Sequence, residues 1–285
     1  MCGIGFFSRY KTKKFDLDMI KKTFISLESR GTDASGLYYE RIENIDGKDV
    51  IAKRAVKSPF KTSELYPVFQ DSKHALNGTE YFIMMHSRAK TVGTAYKNVN
   101  NHPVFSENYV LIHNGTITTK PLDFYDYQGE VDTEIGVSFI ETFGIEKGIS
   151  LLEGGISFVF KEKKAKEFFL YRHHNPMNIA YNIKDGVLCG TSEIKQLPYS
   201  EETSFPENIL NPGTTISETD KYQLYKVSLR TQKPEIEKLI KVETSSTYVH
   251  GSYISKESQV EQAIDEYKTE KLKTAKKPAG KKKND

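Results

Sequence analysis

The order of apolar and polar positions predicts strands and helices almost from the first residue. Residues 2–7 form a short apolar run and predict a buried strand. Over 16–29, Met19, Ile20, Phe24 and Leu27 recur at spacings of three and four, the pattern of a helix with one buried face. Arg30-Gly31 ends it, since glycine stops helices readily. Residues 36–42 and 50–56 read as strands on either side of an Asp46-Gly47 turn. Residues 81–85 and 109–113 are continuous apolar runs, which predicts strands covered on both faces. The polar stretch 87–108 between them predicts a long loop, and such loops inside compact domains usually carry function. Over 133–143, Ile135, Phe139, Ile140 and Phe143 share one helix face. Strands then crowd together at 156–161, 167–172, 178–182, 187–191, 214–217 and 222–228. From about Thr244 the pattern weakens, and 256–273 reads as a polar stretch compatible with a helix. Mostly antiparallel strands with few helices give an α+β layered fold. The expected organisation is one domain over 1–243 and a polar, Lys-rich extension over 244–285, partly disordered.

Composition narrows the class. Of 285 residues, 37% are hydrophobic and 12% aromatic, which excludes a disordered chain. No stretch approaches the roughly 20 apolar residues of a membrane span. The start, MCGIGFFSRYKTKK, lacks a basic region ahead of a long apolar run. A soluble cytoplasmic protein without a membrane partner is therefore expected. Two cysteines, Cys2 and Cys189, cannot make a disulfide scaffold, and Cys189 sits in a predicted core strand. The net charge is +3, yet Lys268 to the C-terminus carries eight lysines against Glu270 and Asp285, so the rest of the chain is mildly acidic. This tail reads as a solvated end. Nucleic-acid contact through it is the less favoured reading, since Tyr267 alone stands beside it to stack a base.

Several common engines are absent from the sequence: GxxxxGK[ST], GxGxxG after a strand, HExxH and paired CxxC. His173-His174 is adjacent rather than ligand-spaced and reads as structural or surface. Asp16 and Asp18 read as helix-start charge rather than a metal pair. Cys2 is the unusual feature. If Met1 is removed, Cys2 carries a thiol and a free α-amine on neighbouring atoms. That amine titrates near pH 7.7–8.0 in general and can serve as base for the thiol. Gly3 and Gly5 leave the terminus open to a substrate carbonyl. A buried strand-start cysteine is the competing reading of Cys2 alone.

Further polar groups stand where apolar scaffold ends: RGTDASG over 30–36, HSR over 86–88, NHPV over 101–104, IHNGTI over 112–117 and DTE over 132–134. Each has a plain alternative. Arg88 could be an ion-pair partner, Asp132 a helix N-cap and Asn114-Gly115 a turn.

Together with MCGI, these elements in this order resemble the glutaminase domain of class II glutamine amidotransferases, which are N-terminal nucleophile hydrolases. The resemblance covers roughly 1–230, more loosely beyond residue 134. It implies a four-layer αββα sandwich of two antiparallel sheets and no metal or organic cofactor. It implies that Cys2 attacks the side-chain amide of L-glutamine through a thioester, with the Asn114 side chain and Gly115 N–H as oxyanion hole. Arg88 would hold the substrate carboxylate and Asp132 its ammonium, with Arg30 and Gly31 shaping the pocket. His86, Thr91 and His102 match motif positions there, His86 as a pocket residue. One departure is Ala89-Lys90 where the family usually has an aromatic after His-x-Arg. The expected protein is a stand-alone glutaminase feeding ammonia to a separate synthase subunit. The alternatives are a same-fold hydrolase of another linear amide or γ-glutamyl compound, and a catalytically silent regulatory module.

Overall fold

The chain begins by placing β1 (Gly3–Arg9), buried along its whole length, in the middle of a sheet. A computed structural model describes residues 1–10, 14–182, 185–198, 222–228, 234–242, 246–249 and 252–275. After β1 come α1 (Leu17–Ser26), β2 (Ala34–Ile45), β3 (Lys48–Ser58), α2 (Thr62–Gln70) and β4 (Glu80–Arg88). Then follow β5 (Val104–Phe105), β6 (Tyr109–Ile117), α3 (Thr133–Phe143), α4 (Ile145–Ser150), β7 (Gly154–Glu162) and β8 (Phe168–Arg172). The last elements are β9 (Asn178–Asn182), β10 (Val187–Thr191), β11 (Gln223–Ser228), β12 (Glu235–Lys241), β13 (Ser246–Val249), β14 (Ser252–Ser255) and α5 (Lys256–Ala275).

Among the described residues the strands form two six-stranded sheets and a β13–β14 hairpin. The first sheet runs β3-β2-β4-β1-β10-β9, the second β12-β11-β8-β7-β6-β5. Pairing is antiparallel in both, as in β1 with β4 and β6 with β7. Successive side chains on a strand point to opposite faces, so each central strand must feed two apolar layers. That explains the continuous apolar runs. Ile4 and Phe6 of β1, Phe82 and Met84 of β4, and Val110 and Ile112 of β6 meet between the sheets. Phe7 faces out beneath α1 and α2, against Phe24, Leu65 and Phe69. Leu111 and Phe158 face out beneath α3, against Phe139 and Ile140. The fold is the four-layer αββα sandwich.

Local chemistry sets the ends. The Asp16 carboxylate accepts from the N–H groups of Asp18 and Met19 at 2.9 and 3.3 Å and starts α1. Asp46 and Gly47, at φ 52° and 77°, close the β2–β3 hairpin.

Some elements differ from expectation. The helix α2 was hidden by Pro67, normally a breaker, but Leu65, Tyr66 and Phe69 bury its face and outweigh the lost hydrogen bond. The stretch 87–108 is not all loop, since β4 continues to Arg88 and β5 pairs with β6. β12, rich in Glu and Lys, carries no apolar strand pattern because a sheet edge tolerates charge. The expected strand at 214–217 lies outside the described residues. In the expected extension, α5 packs on the second outer layer: Ala263 joins its core, and Tyr267 stacks on Phe124 with ring centroids 5.5 Å apart. No described helix is long and apolar enough to cross a membrane.

Candidate active site

Cys2 hangs from the end of β1, and β1 pairs with β4 so that Gly3 faces Ser87. The next step along both strands brings Cys2 beside Arg88. The thiol is partly buried, and its Sγ lies 3.6 Å from the Ala89 carbonyl oxygen. Burial pushes this thiol above its ordinary value, while the backbone at Ala89, the terminal ammonium and Arg88 pull it down and Asp132 pushes it up. The charges of Arg88 and Asp132 thus both reach the sulfur.

The terminus itself is clamped. Arg30 ends the turn Leu27–Arg30, and its Nε donates to the Cys2 carbonyl at 2.9 Å. Its Nη1 bonds Glu193 Oε1 at 2.8 Å, and its Nη2 lies 3.4 Å from Met1 Sδ. Arg30 therefore holds the backbone of Cys2. Gly31 has an ordinary extended φ, but a Cβ there would sit 2.3 Å from the Arg88 carbonyl carbon and the Ala89 nitrogen. The need is for space, because the chain passes directly against the end of β4.

Arg88 closes β4 with its guanidinium turned into the loop that follows. It donates to Asn101 Oδ1 at 2.9 Å, to the Gly93 carbonyl at 3.0 Å and to the Val92 carbonyl. Asn101 in turn donates to the Ala95 carbonyl at 2.6 Å. The loop is thereby wrapped around the cation. Thr91 lies exposed on it.

The second sheet supplies Asn114 and Gly115 at the end of β6. Asn114 has no exposed surface, and neither its Oδ1 nor its Nδ2 has a partner among the described residues. A buried amide left unpaired is costly, and such orphans cluster where a ligand is meant to complete them. Gly115 sits at φ +143°, and a Cβ would fall 1.6 Å from the Gly155 carbonyl oxygen. Only glycine fits there.

Asp132 precedes α3 but does not cap it with its side chain. Its Oδ2 accepts from the Ile117 N–H at 2.8 Å, and its Oδ1 stands 4.0 Å from His113 Nδ1. The carboxylate is thus turned toward β6, beside Asn114, rather than down its own helix.

Three histidines lie behind these groups. His86 is fully buried, its Nε2–H donates to the His113 carbonyl at 3.0 Å, and its ring stacks on His102 at 3.9 Å. His102 Nε2 and His113 Nδ1 meet on one hydroxyl, Thr133 Oγ1, at 2.8 and 3.1 Å. Burial holds His86 down to about 3 and lowers His102 and His113 as well, so all three rings are neutral. The contacts of His86 are to the His113 carbonyl and the His102 ring. They tie the Arg88 strand to the Asn114 strand.

Two clefts lie elsewhere, one of about 640 Å³ between Thr118–Asp123 and α5, the other of about 690 Å³ lined by Arg9, Tyr81 and Glu167. Neither is lined by Cys2, Arg88, Asn114 or Asp132.

No protein-family model matches the chain. Over 209 residues it is 27% identical to glutamine–fructose-6-phosphate aminotransferase (isomerizing) of Helicobacter pylori, covering 67% of this chain and 32% of that protein. The same enzyme of Streptococcus pneumoniae is 30% identical over 186 residues, 62% of this chain and 28% of its own length. Among solved structures, glutamine phosphoribosylpyrophosphate amidotransferase from B. subtilis superposes with a TM-score of 0.56 at 14% identity, over 83% of this chain and 49% of that one. The chain is similar to the glutamine amidotransferase part of these enzymes. It spans about a third of the length of the curated relatives named above.

The fold brings Cys2, Arg88 and Asp132 within electrostatic reach of one another, and His86 links the Arg88 strand to the strand of Asn114-Gly115. Arg30 holds the Cys2 carbonyl, and Gly31 passes against the end of β4 at Arg88 and Ala89. Sequence reading gave no part to Asn101, Thr133, Glu193 or Asn175. Asn101 and Thr133 lie inside quoted motifs and could have been suspected as polar residues at element ends. Glu193 and Asn175 lie in the 170–193 segment, which resembles the family only loosely, and their partners are distant in sequence.

Proposed function

We propose that this domain hydrolyses the side-chain amide of L-glutamine at Cys2, giving glutamate and ammonia. The observation that carries the reading is the buried, unpaired amide of Asn114 next to Gly115 at φ +143°. Two such donors at the end of one strand suit a developing oxyanion better than any stable neutral group. Met1 is 72% exposed, so its removal meets no steric obstacle. The freed α-amine then takes the thiol proton as Cys2 Sγ bonds to the amide carbon. The carbonyl electrons move onto the oxygen, which the Asn114 side chain and Gly115 N–H stabilise. Collapse breaks the C–N bond, and the ammonium proton goes to the departing nitrogen as ammonia. Water then attacks the thioester, giving glutamate and the thiol. Arg88 offers its remaining guanidinium hydrogens to the substrate carboxylate, and Asp132 accepts from the substrate ammonium.

The acceptor of the ammonia is, in this proposal, a separate synthase subunit. The Lys-rich end is its proposed docking element and the cytoplasm, which keeps Cys2 reduced, its setting. Two lysines of that stretch already serve the domain: Lys268 lies 3.8 Å from Asp123, and Lys271 sits over the Tyr267 ring.

The test is the intact mass before and after 6-diazo-5-oxo-L-norleucine, with ammonia release measured alongside. Loss of Met1, one adduct absent from Cys2→Ala, protection by glutamine and ammonia from glutamine are the expected results. Release from γ-glutamyl compounds but not glutamine would replace the substrate. An adductless, Met1-free protein without turnover would replace catalysis with a silent module.

A further inference from the structure

We infer that Asn175 is a positioning residue for the oxyanion hole, and this rests on the glutaminase reading above. Asn175 lies in the short crossover between β8 of the second sheet and β9 of the first, at the same end of the sandwich as Cys2. Its Nδ2 donates to two carbonyls at once, Asn114 O at 2.9 Å and Gly155 O at 2.8 Å. A side-chain amide nitrogen has two hydrogens, and here each has its own acceptor. Two carbonyl partners also fix which end of the amide faces them.

The Asn114 carbonyl and the Gly115 N–H belong to one peptide unit, which is planar and trans. Anchoring the oxygen on one side fixes the direction of the N–H on the other. At φ +143° this peptide is turned out of ordinary strand geometry. A turned peptide needs something to hold it, since the left-handed region offers glycine many alternatives. Asn175 is that holder. It also fills the space, lying 2.4 Å from where a Gly115 Cβ would stand.

Asn175 is itself held. Arg172 is buried, and its Nε donates to the Asn175 carbonyl at 2.6 Å and its Nη2 to the His174 carbonyl at 3.0 Å. The His173 N–H donates to the Ile156 carbonyl at 2.7 Å. Met177, fully buried between the sheets, pins the far side. The crossover is thus a rigid bracket from the second sheet's scaffold to the Asn114–Gly115 peptide.

The test compares Asn175→Asp and Asn175→Ser with wild type in the full chain. Asp has the same shape but no hydrogen to give, and it sets a charge against two carbonyl oxygens. Ser keeps one donor and cannot bridge. Four readouts are needed: kcat for ammonia release, KM for glutamine, the dissociation constant of L-glutamate, and the rate of Cys2 alkylation by iodoacetamide. Alkylation displaces iodide at a saturated carbon and builds no oxyanion, so it reports the thiolate alone. The expected result is a kcat lower by roughly 10- to 100-fold in Asn175→Asp, at or below what loss of one oxyanion donor costs. Asn175→Ser falls between it and wild type. KM, glutamate affinity and alkylation stay within about twofold. Wild-type kcat in Asn175→Asp overturns the inference while leaving the glutaminase reading intact. Parallel loss of kcat, glutamate affinity and alkylation in both variants overturns it too, because it marks general damage to the fold. A wild-type protein that alkylates normally but releases no ammonia from glutamine overturns both readings together.

Discussion

At Gly115 a methyl group has no place to go. The left-handed φ and the Gly155 oxygen at 1.6 Å from a would-be Cβ make Gly115→Ala both strained and clashing. Strain of this kind costs about 1–3 kcal/mol before the clash is counted. Gly115→Ala is therefore expected to lower the urea midpoint measurably and abolish ammonia release. Asn114→Ala removes an amide that nothing else in the described protein uses. Its stability is expected to hold while kcat falls by about 10²- to 10³-fold, the usual range for one oxyanion donor. A large loss of stability with unchanged kcat would instead mark Asn114 as structural. The Cys2 thiol, raised by burial, sets a pH dependence. Below its value the sulfur is neutral, so the reactive thiolate grows as pH rises, and the neutral α-amine grows in the same direction. The kcat/KM for glutamine is thus expected to climb from neutral pH into the alkaline range. A profile that falls over that interval would exclude thiolate attack as the step being read.

Between elements, the histidine layer joins β4, β6 and the start of α3. His86 links the first two through the His113 carbonyl, and Thr133 gathers His102 and His113. All three rings bind protons less readily folded than unfolded. Their contribution to stability is full above the unfolded histidine value near 6.5. It is lost as pH falls toward the folded values, about 3 for His86. Three such groups allow a slope of up to about 4 kcal/mol per pH unit below pH 6. Urea unfolding at pH 7, 6 and 5 is expected to show this steep decline, with a flatter one in His86→Gln, which keeps the donor but cannot protonate. Equal slopes in the two proteins would mean that His86 is not among the titrating groups.

For the whole molecule, α5 is the question. Val260, Ala263 and Ile264 pack on the second outer layer, Lys147 pairs with Glu266 at 2.7 Å, and Lys120 with Glu257 at 2.5 Å. The exposed pairs contribute little, typically under 1 kcal/mol each, so the apolar contacts dominate. Ending the chain after Ser255 is expected to lower the thermal midpoint by several degrees, whereas ending it after Ala275 leaves stability unchanged. If coupling to an ammonia acceptor also survives the cut after Ala275, the docking role of the Lys-rich end fails. The groups that reach the thiol, at Ala89, Arg88, Asp132 and the chain terminus, all belong to the described residues.

The sequence by itself determined the layers and the reactive end. Apolar runs in β4 and β6 already require two covered faces, and glycine or aspartate at element ends marks where the chain turns. The motif order around Cys2, Arg88, Asn114, Gly115 and Asp132 suggests the proposed chemistry because each lies at the edge of a local pattern. Only the tertiary structure decided what those groups touch. Asp132 is a plausible helix cap in sequence, yet its carboxylate bonds the Ile117 N–H across the layers. Arg30 reads as a pocket residue, yet it clamps the Cys2 carbonyl and Glu193, 163 positions away. The part of Asn175 cannot be read from sequence, because its partners are backbone carbonyls 61 and 20 residues distant, and any residue type offers those. Periodicity encodes which face a side chain takes. It does not encode which distant carbonyl that face will meet, and here those meetings hold Cys2 and the Asn114–Gly115 peptide in place.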